Sequence, residues 1–264
     1  MMTFMLHAMI GVTLISIASA IIGTYIVTRR MVFISGGITH ACFGGLGLGY
    51  YLGWSPMAMA SLFAVGGALG VERLNRNGAR RDSAIAVIWA LGMALGIMFI
   101  FMTEGYVPEL NTFLFGNVLT ISVADLWIFA GFVVALGLFY LLFFRMIVTV
   151  SFDPDFARTR NLPVEFINLI MTIFVGVAIV LTIRMIGIML LMSLVSLPQM
   201  ISEIFTRRYL PLMGMSTIVS LAGCLGGLWI AYIADIPASA AIVLLLVVIY
   251  IPASLIGRKL QKRY

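Results

Sequence analysis

Residues 31–53 read MVFISGGITHACFGGLGLGYYLG. The run is apolar enough to enter a bilayer as a helix, and a span needs about 20 such residues. Its glycines suit helices that pack closely in lipid, where small residues let backbones approach. It also holds His40, one of only two histidines in the chain. An ionisable side chain inside a membrane segment is costly, which makes His40 a functional candidate. The structural alternative is a histidine that only hydrogen-bonds a neighbouring helix.

The remainder of the chain has the same character. Of 264 residues, 62% are hydrophobic and 10% are charged, and the mean hydropathy is +1.15. A soluble domain carries about 25% charged residues. Apolar runs recur from end to end, so the expected fold class is all-α: a single polytopic transmembrane bundle over 1–264 with about eight or nine spans. Cys42 and Cys224 sit far apart inside apolar runs, which leaves neither a disulfide framework nor a Cys-x-x-Cys site. The opening MMTFMLHAMIGVTLIS has no basic residue ahead of its apolar run and reads as a retained first span.

The runs are 6–27, 31–53, 57–71, 84–102, 126–146, 166–183, 185–197, 210–231 and 236–256. Residues 112–122 are too short to span and read as a re-entrant or interfacial segment. The run 185–197 ends at Pro198 and reads as a full span or a partial one buried in protein. With the N-terminus outside and the C-terminus cytoplasmic, Arg29, Arg30, Arg73, Arg76, Arg80, Arg81, Arg145, Arg158, Arg160, Arg207, Arg208, Arg258, Lys259, Lys262 and Arg263 face the cytoplasm. Only Arg184 falls outside, and the positive-inside rule selects this orientation. Glu104, Glu109 and Asp235 then lie on the outer face with Asp125 near it. They could attract cations or receive a partner, but solvated surface acids are the plainer reading. The net charge of +6 follows from this distribution and points to anionic inner-leaflet lipid, not to nucleic acid.

Two polar inserts stand out. In 151–163, SFDPDFARTRNLP, Asp153 suits a helix N-cap, Pro154 the first helical position, and Asp155 the positive end of the dipole. The second, 198–208, begins at Pro198 and carries Ser202, Glu203, Arg207 and Arg208. Both read as a docking surface for a cytoplasmic partner or as ordinary solvated loops. The pairs Gly45/Gly49, Gly66/Gly70, Gly92/Gly96 and Gly223/Gly227 each place two small residues on one helix face. The many methionines read as packing, and no internal repeat is visible.

Four pieces in order carry a family resemblance: RMVF at 30–33 with ITHA at 38–41 and the glycine-rich run; FLFGNVL at 113–119 with Ser122; FDPDFA at 152–157 with Leu162-Pro163; and MIGIML at 185–190 leading to Pro198. Together they resemble the integral-membrane permeases of ATP-binding-cassette importers for divalent metal ions (zinc, manganese, iron), over nearly the whole chain. Three stretches depart from the family pattern. Gly36 and Thr39 replace the Asp and Ser of Gly-Asp-x-x-Ser-His, residues 197–202 replace the sequence around the coupling proline, and Asn161 replaces a glycine.

The resemblance implies a permease homodimer, two copies of a cytoplasmic ATP-binding subunit and an extracytoplasmic metal-binding protein, in a bacterial inner membrane. It implies no permanently bound cofactor, a divalent metal ion as cargo, and ATP used by the partner. The chain itself has no Gly-x-x-x-x-Gly-Lys-Ser/Thr loop, so it is expected to be a transport subunit, not an enzyme. The implied ion path contains His40, with the Thr39 and Ser35 hydroxyls beside it, although such hydroxyls usually bond their own backbone. Coupling to the ATPase falls to Asp153, Asp155, Phe156, Arg158, Pro198, Glu203 and Arg207. Contact with metal or binding protein at the outer mouth falls to Glu104, Glu109 and Asp235. Residues 36 and 40 share a helix face, so Gly36 withholds a hard oxygen donor and tilts the choice from Mn²⁺ toward Zn²⁺ or Fe²⁺. A permease for chelated iron or cobalamin-type cargo is the alternative, needing no histidine in contact with metal. An intramembrane enzyme lacks the expected His-Glu-x-x-His or Gly-x-Ser-x-Gly pattern, and a passive channel or scaffold subunit is the remaining class.

Overall fold

A computed structural model describes residues 2–103, 116, 118 and 121–261. The helices are α1 (Met2–Thr28), α2 (Phe33–Leu52), α3 (Pro56–Arg76), α4 (Arg81–Met102), α5 (Val123–Phe152), α6 (Pro154–Thr159), α7 (Val164–Phe205), α8 (Tyr209–Ala234) and α9 (Ala238–Gln261). The described residues contain no strand, in keeping with the all-α expectation. Seven helices (α1, α3, α4, α5, α7, α8 and α9) are long and apolar enough to cross a membrane. The remaining long helix, α2, has 20 residues whose glycines, tyrosines and histidine dilute its apolar character.

Local chemistry fixes several helix ends. Ser55 caps α3, accepting a bond from Ala58 N at 3.4 Å, with Pro56 at the first helical position. Asp153 caps α6 in the same way, accepting from Phe156 N at 2.9 Å ahead of Pro154. Gly53 ends α2 at φ 67°, a left-handed conformation open to glycine without steric cost.

Two expectations change. The runs 166–183 and 185–197 are two helices that meet within α7 at a kink, and the break falls at Gly187, whose backbone is non-helical (φ 77°, ψ 173°). Arg184 is therefore inside a helix, not in a loop between spans. Pro198 does not end the second run: it lies buried inside α7, which continues to Phe205. Much of the insert expected over 198–208 is thus helical. A proline inside a membrane helix is tolerated where surrounding protein satisfies the freed backbone groups. Of the segment 112–122, only Gly116, Val118, Ile121 and Ser122 are among the described residues.

The chain divides into two compact units: Met1–Val27, Thr112–Leu138 and Thr182–Tyr264 in the first, and Thr28–Asn111 and Phe139–Leu181 in the second. In the second unit, glycines bring α2 against α3 and α4. A Cβ added at Gly92 would sit 2.6 Å from Ala41 Cα, and one at Gly49 would sit 2.6 Å from Pro56 Cα. One added at Gly47 would sit 2.7 Å from Gly96 O. Arg29 is buried in this unit, donating to Asn168 Oδ1.

The first unit is packed differently. Ser16, Ser19, Gln199, Ser202, Ser216, Ser220 and Cys224 are all buried, on α1, α7 and α8. Gln199 Nε2 donates to Ser19 O at 2.9 Å, and the Ser202 and Ser216 hydroxyls reach Pro198 O at 2.7 and 3.5 Å. Gly23 makes room for the Gln199 amide: a Cβ there would lie 2.6 Å from Gln199 Cδ.

Candidate functional site

His40 is held by the glycine-mediated contact of α2 with α4. Trp89 lies on α4 one turn before Gly92, and its ring stacks on the His40 imidazole with centroids 4.5 Å apart and planes 20° from parallel. Stacking covers a ring face. The nitrogen lone pair used for metal binding lies in the ring plane, so this contact leaves it open. His40 is half-buried. Thr39 is fully buried, and its hydroxyl has no hydrogen-bond partner among the described residues. Ser35 instead donates to Val32 O at 2.9 Å, the local bond expected of a hydroxyl in a membrane helix. Among the described residues no group of three or more His, Cys, Asp or Glu side chains is arranged to hold a metal ion.

The residues expected to couple to an ATPase are organised around α6. Arg158 bonds Asp155 Oδ1 at 2.9 Å and Glu165 Oε1 at 3.2 Å. Glu165 reaches on to Arg76 at 2.5 Å, and Arg76 to Glu72 at 3.3 Å. The chain of charges ties the end of α3, α6 and the start of α7 together. The hydrogen bond from Glu165, with Asp155 adding to it, holds the Arg158 guanidinium above the ordinary arginine range. Phe156 is exposed beside this network, with the Arg160 guanidinium 5.4 Å from its ring centre. Asn161 ends the turn at φ 54°; Leu162 N bonds Ala157 O at 3.1 Å and Asn161 N bonds Arg158 O at 3.0 Å. This is a Schellman closure, and its left-handed residue explains why asparagine can stand where a glycine was expected. Glu203 and Arg207 are exposed at the end of α7, whereas Pro198 is buried within it.

At the α8–α9 turn, Asp235 is exposed at φ 53°. It lines a cavity of about 540 Å³ with Tyr232, Ser239 and Met5. Glu104 and Glu109 lie outside the described residues. Asp125 is not a solvated acid: its side chain is 15% exposed and pairs with Arg184 Nε at 2.8 Å. Ser122 Oγ donates to its other oxygen at 2.6 Å. Three residues further along, the Gly187 break receives Gly116 (φ 63°), whose missing Cβ would collide with the Ile186–Gly187 peptide.

Sequence reasoning missed Trp89, Glu165 and the Asp125–Arg184 pair. The ion-pair partners lie far apart in sequence. Trp89, an aromatic in an apolar run, carries no local signal that distinguishes it from packing.

The chain matches the model of the ABC 3 transport family over residues 1–257. It is 35% identical over 249 residues to an uncharacterized membrane protein of Synechocystis sp., covering 94% of this chain and 89% of that one. It is 33% identical over 245 residues to a probable metal transport system membrane protein of Chlamydia pneumoniae, covering 88% and 81%. It is 28% identical over 243 residues to the manganese transport system membrane protein MntC of Halalkalibacterium halodurans, covering 92% and 83%. Among solved structures, PsaBC from Streptococcus pneumoniae in complex with Fab superposes with a TM-score of 0.82 at 24% identity, covering 95% of this chain and 90% of that one. An inward-facing transporter described as metal-chelate type superposes with a TM-score of 0.75 at 16% identity, covering 97% and 85%. The fold is shared with both, and the match over residues 1–257 places the chain in the ABC 3 transport family of membrane permeases.

Proposed function

We propose that the protein is the transmembrane permease of an ATP-driven importer of divalent metal ions. Membership of the ABC 3 family supports an ABC transporter role, and relatives named for metal and manganese transport support the cargo class. The observation that carries the ion path is His40, a half-buried imidazole on a glycine-packed helix with its ligating edge clear of the stacked indole. Thr39 adds a buried hydroxyl without a partner among the described residues. An imidazole without the carboxylate that residue 36 would supply suits Zn²⁺ better than Mn²⁺, so zinc is the first cargo to test, with manganese and iron beside it.

The permease works as a homodimer with two ATP-binding subunits and an extracytoplasmic metal-binding protein, in a bacterial inner membrane. Its N-terminus is outside and its C-terminus cytoplasmic, a reading that the distribution of basic residues supports. The ATPase docks on α6, where Asp153, Asp155, Phe156 and Arg158 cluster, and on the end of α7 with Glu203 and Arg207. Asp235 receives metal or binding protein at the outer mouth. Reconstitution with these partners tests the reading: ATP-dependent accumulation of free Zn²⁺, Mn²⁺ or Fe²⁺ is expected. Transport of a metal chelate with no uptake of free metal would overturn it.

A further inference from the structure

We propose that Trp89 is a positioning residue for the metal-binding imidazole, fixing the ring plane of His40 so that its open nitrogen edge presents to the ion. The inference rests on the reading of His40 as a ligand on the path.

Rotation about χ2 of a histidine is broad when nothing restrains it. Here the indole lies 4.5 Å from the imidazole and only 20° from parallel. That contact removes much of the rotation while consuming no hydrogen-bonding capacity of the ring. Trp89 stands on α4 between Ile85, whose side chain closes on Gly37, and Gly92, which lies on the backbone of His40 and Ala41. Because α4 meets the backbone of α2 at Gly92, one turn from Trp89, the two rings keep a common register. A lone ligand has most to gain from such restraint. Among the described residues no cluster of ionisable side chains helps to orient an ion at this site, and restraint of a ligand by its neighbours is worth about 10–100-fold in metal affinity where it has been removed elsewhere.

The other tryptophans make a direct test possible. Trp54, Trp127 and Trp229 are 62%, 76% and 64% exposed, so they can be changed to Phe at little structural cost, leaving Trp89 as the sole indole of the permease chain; the signal is read as the difference from the same assembly carrying Trp89→Phe. Co²⁺ is the probe, because its partly filled d shell quenches indole fluorescence at contact range; Zn²⁺ has a filled shell and serves as a silent competitor. The permease is kept with its ATPase in lipid nanodiscs. Saturable quenching of Trp89 by Co²⁺, reversed by Zn²⁺ and abolished by His40→Ala, is expected. Calorimetry on Trp89→Leu should show Co²⁺ affinity lower by about 10-fold, with Trp89→Phe restoring it to near the wild-type value. Folded Trp89→Leu protein with unchanged affinity would overturn the inference. Should that variant fail to fold, Co²⁺ binding seen by calorimetry without quenching of the native Trp89 would overturn it as well. Full Co²⁺ affinity in His40→Ala would remove the ligand reading itself, and the inference with it.

Discussion

Glycine plays different parts at the α2–α4 contact of the second unit and at Gly23 of the first. Between α2 and α4, Gly92 and Gly47 admit the partner helix's own backbone, and the contact around His40 is close. On α1, Gly23 admits a side chain, the Gln199 amide, which bonds Ser19 O. At the first two positions an added Cβ meets main chain, which cannot rotate away. The second arrangement can relax in part, because the two nearest atoms belong to the end of a flexible side chain, while Val195 O is main chain. One region is built to hold an imidazole still. The other is built around polar groups, including a buried Gln199 Oε1 with no hydrogen-bond partner among the described residues. Buried polar groups in a membrane bundle are costly where unsatisfied, so such a seam has less to lose on rearrangement.

The sharpest way to break the comparison is Gly92→Val. The branched side chain would be forced onto the backbone of His40 and Ala41, and overpacking against main chain should cost about 3 kcal/mol or more. Folded yield in detergent should collapse, and a well-behaved variant would show that α4 is not fixed on α2. Gly23→Ala should cost less, about 2 kcal/mol. Two of the three nearest atoms belong to Gln199, while Val195 O at 2.7 Å remains. In a Gln199→Ala background part of that cost should vanish, giving a coupling of roughly 1 kcal/mol in a double-mutant cycle of unfolding in denaturing detergent. Strict additivity would mean the glycine does not accommodate the amide. Smallest is Asp125→Asn, which breaks a pair whose arginine is 45% exposed and should lower stability by about 1 kcal/mol. Loss of the effect in high salt would show that solvent already screens the pair.

Much of this was legible locally. The Asp153-Pro154 start announces its helix because a cap acts within one turn. The glycine pairs announce close faces because helical spacing is regular, and Gly45/Gly49, Gly92/Gly96 and Gly223/Gly227 do meet neighbours closely. Gly66 shows the limit: it has the same spacing and faces open space. Pro198 misled for a related reason. A proline usually marks a helix end, but an apolar run on both sides let α7 continue through it, and the break fell on Gly187 instead. Arg184 looked stranded because its partner, Asp125, is nearly sixty positions earlier. Trp89 was invisible as anything but bulk until α2 and α4 were paired.

The central claim is that the ion passes the His40 imidazole. ATP-driven uptake of Zn²⁺, Mn²⁺ and Fe²⁺ by the reconstituted importer, wild type beside His40→Ala, tests it most directly. Accumulation of one metal in the wild type and its loss in the variant, with protein level and ATPase docking unchanged, is the predicted result. Uptake at the wild-type rate in His40→Ala would make His40 a packing residue and move the path elsewhere.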